Sequence, residues 1–177
     1  MSDRLEIKGV VEAGDRCLFR GNVVLRTHFS GRILLADDVE LGDYAMISAN
    51  EYVEIGQGSY IGPYCVLRDN NHLFQGTDAH WRITPLIIQP IKVGRNCYLG
   101  AGTYIMPGVT IGDGAVVAPR SIVTKDIGSL EVWAGAPALR VSHRTDPSLR
   151  SSLKRHQELA ALFEAPAARP AQGVQTG

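Results

Sequence analysis

Residues 93–125 read VGRNCYLGAGTYIMPGVTIGDGAVVAPRSIVTK, and an aliphatic side chain returns at every sixth position: Val93, Leu99, Ile105, Ile111, Val117 and Val123. A helix repeats near 3.6 residues and a half-buried strand near 2. A period of six fits neither. It fits a short strand followed by a corner, with three such units, roughly 18 residues, closing one triangular coil. Each strand then lies under its equivalent one coil later, at about 4.8 Å in a parallel ladder. The aliphatic side chain fills the interior. Four residues further on stand Cys97, Thr103, Val109, Ala115 and Ser121, all compact enough for the inside of a corner. Gly, Asp and Asn between them tolerate turn dihedrals. One coil cannot bury its own inner face, so coils must stack.

Working upstream, Leu5, Val11, Cys17, Val23, Phe29, Leu35, Leu41, Ile47 and Val53 are also spaced by six and all apolar. In a chain that is 45% hydrophobic, nine consecutive hits arise by chance on the order of one time in a thousand per phase. The phase slips by two residues to Ile55, Ile61 and Leu67, and is lost from Asp69 to Pro90. That gap, DNNHLFQGTDAHWRITPLIIQP, is expected to be a loop leaving the coil and rejoining it near Ile91. Loops of such length inside compact domains are usually functional. Beyond Val141 the repeat ends. Asp146-Pro147 supplies a helix cap and a first-turn proline, and Leu149, Leu153, Leu159, Leu162 and Phe163 suit one helical face. The expected organisation is a β-helix domain over 1–141 with its insertion at about 69–90. A C-terminal helical segment follows within 142–164 and a disordered tail over 165–177.

Composition narrows the classes of function. Lys plus Arg equals Asp plus Glu at 18 each, so no strong field favours nucleic acid or anionic membrane. MSDRLEIKG lacks an apolar leader core and no long apolar span follows, which makes a cytoplasmic protein without membrane insertion the expectation. The three cysteines, Cys17, Cys65 and Cys97, have no CxxC spacing and fall on repeat positions, as structural thiols do.

The motif Ile111-Gly112-Asp113-Gly114-Ala115-Val116-Val117, followed by Ser121-Ile122-Val123-Thr124-Lys125-Asp126 and Ala134-Gly135-Ala136-Pro137-Ala138, resembles the hexapeptide-repeat acyltransferases. The likeness is to their sugar O-acetyltransferase branch (maltose, galactoside and lipopolysaccharide acetyltransferases), and extends over 35–141 and more faintly over 5–34. The resemblance implies an all-β solenoid, a left-handed parallel β-helix with an extruded loop and a short C-terminal α-helix. It implies acetyl-CoA as co-substrate, no metal, and a homotrimer with sites at subunit interfaces.

Acetyl transfer to a hydroxyl needs a base, donors for the developing oxyanion and fixed geometry. His72 stands at the root of the insertion, where the resembling enzymes carry their general base, and its unperturbed pKa suits that task. Asp69 is a candidate to orient the ring, or else a turn residue. The resemblance places Ala101, Gly102, Ala118 and Pro119 along the pantetheine, Thr124 and Lys125 near the adenosine end, and Pro137 and Arg140 at the adenine and 3′-phosphate pocket. Two departures mark this chain. Leu139 intervenes between Pro137-Ala138 and the basic residue, and Ala118-Pro119-Arg120 stands where many relatives carry Gly-Ala-Gly, so one backbone donor is lost. Asn50 and Trp81 are candidates for the acceptor, the amide through its donor and acceptor ends and the indole by stacking. His80 is a weaker acceptor candidate in the same insertion, while His28, His143 and His156 suit surface or structural places.

The expected function is acetyl transfer from acetyl-CoA to a hydroxyl of a sugar or glycan. Two alternatives stay open at this point: N-acyl transfer to an aminosugar, often nucleotide-linked, and a catalytically silent β-helix serving as a structural subunit. A zinc enzyme built on three histidines fits poorly, since the His72-to-His80 spacing does not match and no histidine lies on the coils from 81 to 141.

Overall fold

The computed structural model describes residues 5–74, 78 and 80–148. Three parallel sheets form the faces of a β-solenoid. The first face stacks Glu6–Lys8, Val24–Thr27, Met46–Ala49, Val66–Arg68, Tyr104–Ile105 and Ile122–Val123. The second stacks Val10–Ala13, Arg32–Leu35, Tyr52–Ile55, Ile91–Val93 and Thr110–Ile111. The third runs from Leu18–Phe19 through Glu40–Leu41, Tyr60–Ile61, Tyr98–Leu99 and Val116–Val117 to Glu131–Gly135, where an antiparallel partner, Ala138–His143, is added.

The six-residue repeat from Val93 to Val123 is the interior column. Leu99, Ile105, Val117 and Val123 have no exposed surface, and Val93 and Ile111 retain 2% and 1%. Their compact corner partners Cys97, Thr103, Val109, Ala115 and Ser121 are buried as well. Each fully buried Ile or Leu contributes about 1.5–3 kcal/mol, and stacking repeats the contribution coil after coil. Glycine is required where coils touch at the corners: a Cβ on Gly100 would lie 2.5 Å from the Pro119 nitrogen.

The upstream register departs from strict sixes. Arg16 and Asp38, on consecutive coils, are 22 residues apart and Arg20 and Glu40 are 20 apart, whereas Arg95 and Asp113 are 18 apart. The early coils are longer because their first- and second-face strands have four residues and can send two side chains inward. Ile33 and Leu35 are both buried, as are Val53 and Ile55, which is why the apparent phase slips by two at that point. Phe29, counted as an interior repeat position, is instead a corner residue with 85% of its surface exposed.

The ladder skips the insertion: Val66 pairs with Tyr104, and Val53 with Ile91. The chain between leaves the corner of the first and second faces as an arm, whose root is an antiparallel pair, Asn70–His72 against Leu86–Ile88. A 3₁₀ turn, Trp81–Ile83, lies further out. The described residues up to Arg144 form one compact unit, and those from Thr145 to Ser148 stand apart from it. In the latter, Ser148 N–H donates to the Asp146 carboxylate at 2.9 Å, the N-cap expected there. The remainder of the expected helix and the tail lie outside the described residues. No helix among the described residues is long and apolar enough to cross a membrane.

Candidate active site

Asp69 is fully buried where the arm leaves the coil. Its carboxylate accepts the backbone N–H groups of Asn50 at 2.8 Å, Glu51 at 2.7 Å and Tyr52 at 3.0 Å, and the Asn70 amide at 3.1 Å. This clasps the short corner of the coil below, a concave run of N–H donors closed around one anion. The ring-orienting role considered for Asp69 goes elsewhere, because its oxygens are committed to that backbone.

Thr84 takes that role. His72 stands at the outer end of the arm ladder, opposite Leu86, with Nδ1 3.2 Å from the Thr84 hydroxyl oxygen. That hydroxyl donates its proton to the Trp81 carbonyl at 2.8 Å. A hydroxyl has one proton to give, so with that proton on the Trp81 carbonyl the Thr84 oxygen is placed to accept from Nδ1, an arrangement that suits an imidazole with its hydrogen on that nitrogen. Trp81 meets the His72 ring edge-on, centroids 5.3 Å apart. Its other neighbours are His80, stacked at 5.8 Å, and the Arg82 guanidinium at 5.3 Å from the ring centroid. The indole is still 58% exposed.

His72 opens on a cleft of about 220 Å³ that also takes in Asn50, Asn70, Ser48, Arg68, Leu86 and the turn residues His28 and Phe29. Asn70 donates to the Asn50 amide oxygen at 3.0 Å, which leaves the Asn50 NH₂ as its group for a ligand. The structure therefore brings together His72 and Asn50 in one cleft, while Trp81 touches the imidazole without lining that cleft. Sequence reasoning missed Thr84, Arg68 and Phe29. Nothing local distinguishes Thr84 from other loop threonines, and only the fold carries residues of three coils to one cleft.

The pantetheine candidates lie on a different corner from His72, whereas Thr124 and Lys125 share its corner two coils along. Ala101, Gly102, Ala118 and Pro119 form the corner between the third and first faces, whereas Thr124 and Lys125 follow the first-face strand Ile122–Val123 at the next corner, exposed. The backbone at Gly102 is open outward: a Cβ there would meet only the Arg120 Cγ, at 3.7 Å. The coil ladder already uses the Gly102 N–H, the Ala101 carbonyl and the Ala118 N–H. Pro137 and Arg140 belong to the last hairpin, where the Arg140 guanidinium is 3.1 Å from Glu131. The Trp133 indole N–H and the Gly128 N–H hold the Glu131 carboxyl below its ordinary pKa, so this acid is ionised beside Arg140.

Other features carry less chemistry. A larger hollow of about 790 Å³ is lined by Arg95, Asp113, Leu130 and Arg144 among others. There Arg95 is clamped to Asp113 and Arg144 donates to the Asn96 and Gly114 carbonyls, so no base is available. Burial pushes the Cys65 and Cys97 thiols up, which keeps them protonated and unreactive. Among the described residues no group of three or more His, Cys, Asp or Glu side chains could hold a metal.

Comparison with known proteins agrees with this architecture. Residues 90–125 match the bacterial transferase hexapeptide (six repeats) family. WcaF of Escherichia coli K12, named as a colanic acid biosynthesis acetyltransferase, is 32% identical over 126 residues, covering 71% of this chain and 68% of its own. WbbJ of the same strain, named as a lipopolysaccharide biosynthesis O-acetyl transferase, is 33% identical over 129 residues, covering 68% and 66%. Among solved structures, the N-acyltransferase AntD of Bacillus cereus, in complex with an amino-dideoxyglucose nucleotide and coenzyme A, superposes with a TM-score of 0.72 at 15% identity over 87% of this chain and 85% of its own. A galactoside acetyltransferase in complex with coenzyme A gives 0.55 at 24% identity over 82% and 67%. Repeat, stacked coils and this degree of identity together establish that the chain belongs to the hexapeptide-repeat family of bacterial transferases, beside relatives named as acetyltransferases.

Proposed function

We propose that the protein moves an acetyl group from acetyl-CoA to a hydroxyl of a sugar or glycan, with Nε2 of His72 as the general base, in a homotrimer whose sites lie between subunits. The observation that carries the proposal is the Thr84 hydroxyl oxygen 3.2 Å from Nδ1, its proton given to the Trp81 carbonyl. Thr84 accepts from Nδ1, so Nε2 faces an acceptor with its lone pair free. A hydroxyl is a poor nucleophile at neutral pH until a positioned base takes its proton. The proton gained at Nε2 is then available to the departing thiolate, which restores the starting tautomer.

Acetyl-CoA supplies the activated acyl group as a thioester. The open backbone at Gly102 supports Ala101, Gly102, Ala118 and Pro119 as the lane for its pantetheine arm, with Thr124, Lys125, Pro137 and Arg140 toward the nucleotide end. The placement of Ala101, Gly102, Ala118 and Pro119 on a different corner from His72 supports a site shared between copies. So does the size of the cleft, which is below the roughly 300–1,000 Å³ usual for small-molecule sites and gains a wall from a second subunit. The relatives named for colanic acid and lipopolysaccharide biosynthesis support a carbohydrate acceptor. Oxygen over nitrogen is favoured by Arg68 in the cleft, because an ammonium acceptor would meet a guanidinium.

The test is thermal unfolding with and without acetyl-CoA, followed by transfer assays on hydroxyl and amino sugars. A ligand that binds only the folded state raises the midpoint in a concentration-dependent way. The expected results are such a shift, and a loss of about 10²–10⁴ in kcat for His72→Ala with the shift retained. No shift with any acyl-CoA, or undiminished transfer in His72→Ala, overturns the proposal.

A further inference from the structure

Phe29, at a coil corner, and Arg68, at the end of a first-face strand, both line the His72 cleft. Phe29 has φ of 55°, a region a bulky side chain rarely adopts, and exposes 85% of its surface. The same conformation recurs at other coil corners, at Tyr44, Tyr64 and Arg120 among others, so it belongs to the corner; what bears on the cleft is the apolar ring that this corner leaves in the open beside it. Arg68, like the corner residue Arg120, differs from most arginines of the coils. Arg16, Arg20, Arg26, Arg32, Arg95 and Arg140 each stand against a carboxylate. Arg68 has no carboxylate partner among the described residues, and its one contact is the Asn70 amide oxygen at 3.3 Å. The nearest acid in sequence, Asp69, is spent on backbone N–H groups. The cleft therefore combines an apolar ring, a cation with open donors, and the amides of Asn50 and Asn70.

We propose that the acceptor is an anionic sugar: a pyranose whose apolar ring face rests on Phe29 while a carboxylate or phosphoryl group on it pairs with Arg68. A guanidinium fork matches either anion in bidentate fashion, and an aromatic face suits the C–H face of a sugar ring. The inference rests on His72 marking the acceptor cleft, and it deepens that reading by stating the charge of the substrate.

Ligand-observed saturation-transfer NMR on the full chain with glucuronic acid, glucose 6-phosphate and glucose tests it. At least one anionic sugar is expected to bind about 10-fold or more tighter than glucose, from a charge-assisted contact, and the tighter of the two identifies the anion. Arg68→Gln is expected to erase that preference while leaving the acetyl-CoA shift intact. Phe29→Gly is expected to weaken all three sugars alike and, by relieving the backbone, to raise the melting midpoint by about 2–4 °C. The proposal is overturned if none of the three binds, if glucose binds as well as the anions, or if Arg68→Gln keeps the preference. It is equally overturned if Arg68→Gln abolishes the acetyl-CoA shift, which would assign the arginine to the coenzyme, or if Phe29→Gly lowers the midpoint and breaks up the oligomer, which would make Phe29 a subunit contact. Failure of the general-base reading looks different: sugar binding would persist, and transfer would survive His72→Ala.

Discussion

Thr84 gives its one hydroxyl proton to the Trp81 carbonyl, and in the proposed mechanism the oxygen it leaves facing Nδ1 selects Nε2 of His72 as the base. Thr84→Val removes the acceptor for Nδ1 while keeping the shape, so the ring is free to populate the other tautomer and to swing. We expect kcat to fall by about 10-fold, within the 10–100-fold range seen when partners that orient a histidine are lost, with KM for both substrates unchanged. Thr84→Ser should restore kcat because it restores the oxygen; a valine variant with full kcat, or a serine variant as slow as valine, would remove Thr84 from the mechanism. Asp69 makes the opposite kind of prediction, one of stability. Asp69→Asn turns an NH₂ group toward N–H groups that have no other acceptor, at a site with no exposed surface. The expected cost is about 2–4 kcal/mol, read as a drop of roughly 5–15 °C in the unfolding midpoint.

The arm is the element that turns a scaffold into a candidate enzyme, and the coils do not depend on it. Tyr104 pairs with Val66 as though no insertion intervened, and the Gln89 N–H donates to the Asp69 carbonyl at 2.8 Å, pinching the neck shut. Replacing residues 73–85 by a short turn should therefore leave a folded solenoid melting within about 3 °C of the parent, since loop length costs little, while transfer is lost. Native-state hydrogen exchange should show the arm amides exchanging well before those of the coil ladders. A large fall in midpoint would mean that the arm braces the stack. Much of this was legible in sequence. The loss of the six-residue phase at Asp69 and its return at Ile91 bracket the arm within a residue or two, and the aliphatic column from Val93 to Val123 is the observed core. What misled was the four-residue strand. With two inward side chains per strand, a chain of alternating apolar residues satisfies a period of six by coincidence, and Phe29 falls on that period although it sits outward on a corner. Thr84 was illegible for another reason: its partners, Trp81 and His72, come together only when the arm folds back on itself.

At the scale of the whole molecule, the distribution of candidate residues over different corners becomes a counting experiment. His72 rises from the corner between the first and second faces, and Ala101 sits on the exposed corner between the third and first. If a site takes His72 from one copy and the pantetheine lane from the next, two dead variants can rescue each other. His72→Ala lacks the base but keeps the lane; Ala101→Trp fills the lane but keeps the base. When the two are unfolded together in equal amounts and refolded into mixed trimers, a working site forms wherever an Ala101→Trp subunit lends its histidine to the lane of a His72→Ala neighbour. In a cyclic trimer with random placement that happens at about one interface in four, so about a quarter of parental activity should return. Refolding each variant alone must yield none. If the mixture stays inactive although light scattering shows intact trimers, base and coenzyme lane belong to one chain and the shared site is wrong.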